Sequence, residues 1–130
     1  MQNHESWLAI AQEDLSAAKA LQRIELFSAV TYHSQQAAEK SLKAYLVYKS
    51  FPIIKIHDLV QLIELCMKTD KEFSKILDEG EKLNPFSSKF RYPTEFDIPD
   101  KELTIKQAQA IMKLVSKKIM MSPSGQISII

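Results

Sequence analysis

The scarcity of glycine is the strongest constraint on what this chain can fold into. Its 130 residues contain only two glycines, Gly80 and Gly125. The tight turns that join antiparallel strands rely on residues that accept positive φ, glycine above all, so a sheet built from several hairpins is excluded. Long stretches are dominated by Ala, Leu, Lys, Gln and Glu, which all favour helices. The sequence therefore predicts an all-α protein.

Length and charge indicate one ordinary globular domain. The chain has 17 Lys+Arg against 16 Asp+Glu, a net charge of +1 that argues against non-specific binding of nucleic acid. No apolar run approaches the roughly 20 residues that cross a bilayer, and acidic residues interrupt the apolar N-terminal stretch, which is unlike a signal peptide. The single cysteine, Cys66, excludes an internal disulfide and indicates a reducing compartment. We therefore expect a cytoplasmic protein without membrane contact.

Two long helices are predicted in the first half of the chain. Apolar residues at spacings of three and four predict a helix over about residues 5–24 and a second over about 28–49. Proline disfavours helical geometry in the residue before it, so Phe51-Pro52 is predicted to end the second helix. One face of that helix carries mostly small residues, which would let a neighbouring helix approach closely.

A polar stripe lies beside this face of small residues. It consists of His33, Gln36, Lys40 and Lys43. The lysines are candidates for contact with a phosphate group. For each single residue, however, a solvated helix face is the interpretation that we favour.

Capping signals mark the next two helices. The third is predicted to start at His57-Asp58, with Asp58 as its N-cap. Thr69 and Glu72 have the spacing of a capping box, which predicts the start of a fourth helix. That helix should stop before Pro85.

The last part of the chain combines an irregular segment, a helix and a tail. Residues 85–100 hold three prolines and four aromatic residues without a clear period, and such long segments are often functional. Thr104 and Gln107 predict a second capping box, for a helix that runs to about Met121. We expect residues 1–121 to form one up-and-down bundle of about five helices, and residues 122–130 to be a flexible tail.

Most sites of known chemistry are absent from the sequence. The three histidines and Cys66 do not stand at metal-ligand spacing, and two glycines cannot form a phosphate-binding loop. His57-Asp58 is a pair also used by metal phosphohydrolases, but those enzymes need further His and Asp ligands. The start of a helix is therefore the favoured interpretation of this pair, Cys66 is expected to pack as a small hydrophobic residue, and no metal or cofactor is expected.

The irregular segment contains the most suggestive arginine. Arg91 is one of only two arginines and lies among Phe90, Tyr92 and Phe96. A guanidinium group can grip a phosphate or carboxylate and stack on rings, although tying loop carbonyls to a helix end is an equal alternative. The aromatic side chains could stack on bases or close the end of the bundle.

Several stretches, in order, resemble the HEPN domain family. They are SWLAIAQEDLSAAKAL, HSQQAAEKSLKAYLVYKS, HDLVQL and FRYP, within about residues 5–120. The most specific part is QAAEKSLKA followed by His57-Asp58-Leu59. The resemblance implies a bundle of about five helices, usually a homodimer, in bacteria and archaea. It also implies a minimal nucleotidyltransferase as partner, in a two-gene toxin–antitoxin pair, and either nucleotide binding or metal-independent ribonuclease activity.

The motif of the family's ribonucleases is not present. Those enzymes carry an Arg followed, after four to six residues, by a His, or in a related group by a Tyr. Arg91 is followed at residues 96–98 by Phe, Asp and Ile, and Arg23 at residues 28–30 by Ser, Ala and Val. Without an imidazole there, general acid–base cleavage of RNA loses its agent. This departure inclines against an enzyme but leaves the question open.

Three functions are therefore compared. The first is a non-catalytic HEPN protein that dimerises and binds a nucleotide, a nucleotidyltransferase partner, or both. Its ligand contacts would be Lys40, Lys43, His57, Arg91 and Tyr92. The second is a divergent metal-independent ribonuclease toxin that uses Arg91 with Tyr92, or His57. The third is a helical adaptor without a small ligand.

Overall fold

The structure is a computed structural model that describes residues 3–52, 55–86 and 101–120. These residues form five α-helices and two 3₁₀ turns without a strand, which confirms the predicted all-α class. The elements in chain order are α1 (His4–Arg23), α2 (Phe27–Tyr48), α3 (Leu59–Met67), the 3₁₀ turn Lys71–Ile76, α4 (Leu77–Leu83), the 3₁₀ turn Asn84–Phe86 and α5 (Lys101–Met120).

Helix α2 is the central element of the bundle. Thirteen of its 22 residues are buried, and it packs against α1, α3 and α5. Its face of small residues lies in the core, where Ala37, Ala38 and Ala44 have no exposed surface. Small side chains allow close helix packing, as the sequence indicated. Larger residues such as Leu42, and Ile111 of α5, fill the core around this face, each burial contributing about 1.5–3 kcal/mol.

Helices α1 and α2 end in the same way. After α1, Glu25 takes a φ of 61°, its N–H donates to Gln22 O, and Leu26 N–H donates to Leu21 O. This pair of bonds is a Schellman motif, which satisfies the last carbonyls of a helix.

The end of α2 repeats this motif two residues before Pro52. Ser50 has a φ of 65° and donates to Val47 O, while Phe51 N–H donates to Leu46 O. The prediction that Phe51-Pro52 ends this helix was therefore wrong in mechanism. The left-handed turn at Ser50 ends α2 at Tyr48, before proline takes any part.

Asp58 is the N-cap of α3, as predicted. Its Oδ1 accepts from Gln61 N at 3.0 Å, and its Oδ2 accepts from Asn84 Nδ2 at 3.0 Å. Asn84 Oδ1 in turn accepts from Leu59 N at 2.9 Å. The hydrogen bonds from Gln61 N–H and from Asn84 lower the pKa of Asp58. Because these bonds fix the entry into α3, they also place His57, the residue before the cap.

Cys66 of α3 lies fully buried in the core. Burial raises the pKa of its thiol to about 12, so the thiol stays protonated at neutral pH. The prediction that Cys66 packs as a small hydrophobic residue is confirmed.

Both predicted capping boxes were wrong. Asp70 is the cap of the 3₁₀ turn Lys71–Ile76, since its Oδ1 accepts from Glu72 N at 3.0 Å, and Thr69 Oγ1 instead donates to Cys66 O. Helix α5 begins three residues before Thr104, so Thr104 and Gln107 are buried positions inside a helix. At the first box the carboxylate of Asp70 takes the capping role from Thr69. At the second, the helix has already begun at Lys101.

Helix α4 ends at Leu83, as predicted, but the chain does not straighten there. It continues through Pro85 as the 3₁₀ turn Asn84–Phe86. Proline is compatible with the first residues of a helical turn, since it fixes φ near −65°.

An ion-pair cluster joins α5 to the turn after α3. Lys118 Nζ lies 2.8 Å from Asp70 Oδ2 and also contacts the Glu72 carboxylate. Hydrogen bonds from Lys118 and Lys75 lower the pKa of Glu72 to about 2. The glutamate that was predicted to cap a helix therefore serves as a partner for lysines.

Some predictions fall on residues that the structure does not describe. Arg91 and Tyr92, the irregular segment from residue 87 onwards and the tail at 122–130 all lie outside the described residues. Within the part of the chain that is described, no helix has both the length and the apolar character needed to span a membrane.

Replacing Asp58 tests how the cap holds this corner. Asp58→Ala should lower the free energy of unfolding by about 0.5–2 kcal/mol, since Gln61 N–H and the Asn84 amide lose their acceptor. Asp58→Ser is the matched control, because it keeps an oxygen for Gln61 N–H and should lose less. Urea denaturation measures both, and equal loss in the two variants would contradict the capping role.

Candidate functional site

A pocket of about 370 Å³ lies where α1, α2 and the segment before α3 meet. This volume is near the lower end of the roughly 300–1,000 Å³ typical of small-molecule sites. Five of its seven lining residues come from α2 at helical spacing, so one face of that helix forms its floor. The lining residues are Trp7, Tyr32, Gln36, Glu39, Lys40, Lys43 and His57.

Glu39 is the buried centre of the site. Its side chain is 3% exposed, and its Oε2 accepts from Lys43 Nζ at 3.0 Å and from His57 Nδ1 at 2.9 Å. Gln35 Nε2 donates to the other oxygen at 3.3 Å. Burial alone would raise the pKa of Glu39, but the hydrogen bonds from His57 and Lys43 outweigh it and the pKa is lowered. Glu39 is therefore a carboxylate at neutral pH.

The contacts of His57 define the orientation of its ring. Its Nδ1 lies 2.9 Å from Glu39 Oε2 and 3.3 Å from Lys43 Nζ. A carboxylate only accepts and an ammonium only donates, so the Nδ1 proton goes to Glu39, the nearer group. The side chain is 70% exposed. Nε2 is thereby left for a ligand, as an acceptor when the ring is neutral and as a donor when it is protonated.

Lys43 lies beneath the aromatic wall of the pocket. Its side chain is 6% exposed, and its Nζ is 5.8 Å from the centre of the Trp7 ring. The interpretation of the polar stripe as a solvated face was therefore wrong for Lys43. Glu39, one helical turn away, offsets the charge and permits its burial beside α1.

Lys40 is held in a different way. Its Nζ donates to Gln36 Oε1 at 2.8 Å, and Gln36 Nε2 donates to Gln35 Oε1 at 2.7 Å. Gln35 then donates to Glu39, so a chain of side-chain amides links Lys40 to the buried carboxylate. Among the described residues, no carboxylate pairs with Lys40.

The fourth residue of the stripe, His33, lies outside the pocket lining. Its Nδ1 is 2.8 Å from Asp14 Oδ1, and its ring makes an edge contact with Tyr32. His33 precedes Lys40 by seven residues, which corresponds to about 10 Å along a helix axis. Of the polar stripe, His33 therefore pairs with Asp14 of α1. The other three residues line the pocket.

The structure brings together three of the five predicted ligand contacts. Lys40, Lys43 and His57 line one pocket, whereas Arg91 and Tyr92 lie outside the described residues. Trp7, Tyr32 and Glu39 also line the pocket, and the sequence patterns did not mark them as parts of a site. The spacing of Glu39 and Lys43, opposite charges four residues apart on one helix, was the signal that could have indicated an ion pair.

The chain is thus a small α-helical bundle with a polar pocket on its central helix. Comparison with known proteins identifies its family. The model of the HEPN domain matches residues 4–120, so the chain belongs to the HEPN family. The crystal structure of an archaeal HEPN homologue superposes with a TM-score of 0.75 at 20% identity. The match covers 92% of this chain and 99% of that one, which confirms the fold. Among curated proteins, no sequence gives a significant match.

Removing Glu39 tests its role in holding the site together. Glu39→Leu leaves Lys43 as a buried charge without a counter-charge, which should destabilise the protein by about 3–5 kcal/mol. The double variant Glu39→Leu/Lys43→Met removes both charges and should recover much of this loss. Thermal and urea denaturation measure both, and a single variant as stable as the native chain would refute the central role of Glu39.

The ion pair of Glu39 and Lys43 predicts that the stability of the protein depends on pH. Because the folded protein lowers the pKa of Glu39 below its ordinary 4.5, its contribution to stability is present above pH 4.5. It should be lost as the pH falls through the lower pKa of the folded state. The double variant should therefore lose less stability in acid than the native chain.

Proposed function

We propose that this HEPN protein binds a nucleotide in the pocket between α1, α2 and the start of α3, and that it acts by binding and not by catalysis. The observation that carries the proposal is one pocket lined by two aromatic rings, two lysines and a histidine oriented by Glu39. Rings can stack on a base, while ammonium and imidazolium groups donate to phosphate oxygens.

The proposed ligand contacts have distinct tasks. Trp7 and Tyr32 offer the apolar surfaces, and Lys40 offers a cation whose hydrogen-bond partner is a neutral amide. His57 offers Nε2 at the rim. Arg91 and Tyr92 remain proposed as further contacts, from their sequence neighbourhood alone.

The pocket favours binding over RNA cleavage. Acid–base cleavage needs one group to take a proton and another to give one. Among the described lining residues, His57 is the single imidazole, and His33 lies in a separate pair with Asp14. Since the sequence also lacks the family's Arg-x4–6-His motif, the ribonuclease is the second candidate.

Replacing Lys40 tests the nucleotide site. A nucleotide at 100 times its dissociation constant should stabilise the native chain by about 2.7 kcal/mol, which a thermal-shift assay detects readily. Lys40→Ala should lose most of that shift. Lys106→Ala, an exposed lysine on α5, is the matched control and should keep it.

Two results would contradict the proposal. Absence of any shift with the native chain would favour a helical adaptor without a small ligand. Cleavage of RNA in EDTA that disappears in Arg91→Ala would favour the divergent ribonuclease.

We further propose that the protein forms a homodimer and pairs with a nucleotidyltransferase as one half of a toxin–antitoxin pair in the cytoplasm. Exposed apolar residues in the turn between α1 and α2 support contact with a partner, since Ile24 is 64% and Leu26 51% exposed. Light scattering should give twice the mass of the chain. A monomer at all concentrations would refute the homodimer, and failure to co-purify with a co-expressed nucleotidyltransferase would refute the pairing.

A further inference from the structure

The charges of the pocket are unevenly available to a ligand. Lys43 and Glu39 lie 3.0 Å apart with side chains 6% and 3% exposed, so the charge of Lys43 is already matched inside the protein. Lys40 differs, because its hydrogen bond at 2.8 Å goes to the neutral amide of Gln36. Among the described lining residues, Lys40 is therefore the lysine whose charge is free for a ligand.

His57 supplies the second polar group. Its Nδ1 is engaged by Glu39, so Nε2 is the ring nitrogen that can form a hydrogen bond with a phosphate. The neighbouring carboxylate, Asp58, is directed to Gln61 N–H and the Asn84 amide and is not part of the lining. Among the described lining residues, a ligand thus meets one lysine without a carboxylate partner, Lys40, together with Nε2 of His57.

From this balance we propose that the pocket selects a nucleoside monophosphate and discriminates against di- and triphosphates. This inference rests on the proposed function and specifies its ligand class. A phosphomonoester carries a charge of about −1.5 to −2 near neutral pH; the ammonium of Lys40 offsets part of this charge, and the imidazole of His57 offers a hydrogen bond. Each further phosphoryl group adds negative charge that none of the described lining cations is free to match, because Glu39 already matches the charge of Lys43.

The size and walls of the pocket agree with a ligand of one base and one phosphate. Its volume of about 370 Å³ is small for a ligand site. The rings of Trp7 and Tyr32 occupy the same lining as Lys40 and His57. A sugar phosphate carries the same phosphomonoester but has no aromatic base to stack. Comparing it with AMP therefore shows whether the base contributes to binding.

Calorimetric titration of the full chain with AMP, ADP and ATP in EDTA tests the inference, since EDTA leaves the phosphate charges without magnesium. AMP should bind at least about tenfold more tightly than ATP, since the additional phosphates of ATP lose hydration without a described lining cation to receive their charge. Ribose 5-phosphate should bind more weakly than AMP. ATP binding as tightly as AMP, or ribose 5-phosphate binding as tightly as AMP, would overturn it.

Two variants test whether the charge pair sets the preference. Glu39→Gln removes the internal counter-charge of Lys43 and should reduce the preference for AMP over ATP. Glu39→Gln/Lys43→Met returns the pocket to one unmatched lysine and should restore that preference. If the single variant does not fold, the native series and the double variant decide the outcome.

The failures of the two proposals are distinguishable. A preference for ATP in the native chain would refute the selectivity and leave nucleotide binding in place, as would an unchanged preference in folded Glu39→Gln. No binding by any of the three nucleotides would refute the proposed function itself, and the selectivity with it.

Discussion

The carboxylate of Glu39 is the interaction on which the pocket depends. It lies on the central helix and accepts hydrogen bonds from Lys43, one turn further on, and from His57, which precedes α3. Lys43 in turn lies beneath the ring of Trp7 on α1. One buried charge therefore joins three segments of the chain. Such a charge is tolerated only when it is paired and hydrogen-bonded, so the site keeps its shape as long as all three partners stay in place.

The same carboxylate distinguishes a lysine whose charge is matched inside the protein from the lysine that we propose as a ligand contact. Because Glu39 is ionised and adjacent, it balances the charge of Lys43 within the fold. Lys40 instead donates a hydrogen bond to the amide of Gln36. Two lysines three residues apart on one helix thus have different partners, a carboxylate and a neutral amide. The lowered pKa of Glu39 has the same origin, since its hydrogen bonds to His57 and Lys43 outweigh the cost of burial. The HEPN family model covers the helices that carry the pocket, and these side chains line it.

Local patterns predicted the helices and one cap, but not the assembly of the site. Periodicity placed α1 and α2 within a residue of their observed bounds, and Asp58 was identified as a cap because its partner Gln61 N–H is close in sequence. The box at Thr69 was wrong since Asp70 competes for the same N–H. Trp7 could not be assigned to a site from the sequence, because periodicity defines a face of a helix and does not say which other helix packs against it. Lys43 is buried because α1 packs over it. Its position in the polar stripe of α2 could not reveal that contact.

Trp7 is the only tryptophan of the chain and lies in the wall of the pocket. Its fluorescence therefore reports on this site without any label. The most direct measurement is a titration of this fluorescence with AMP, excited where the nucleotide does not absorb. A saturable change whose dissociation constant agrees with calorimetry is the expected result. Calorimetric binding of AMP without any response from Trp7 would place the ligand elsewhere and contradict the assignment of the pocket.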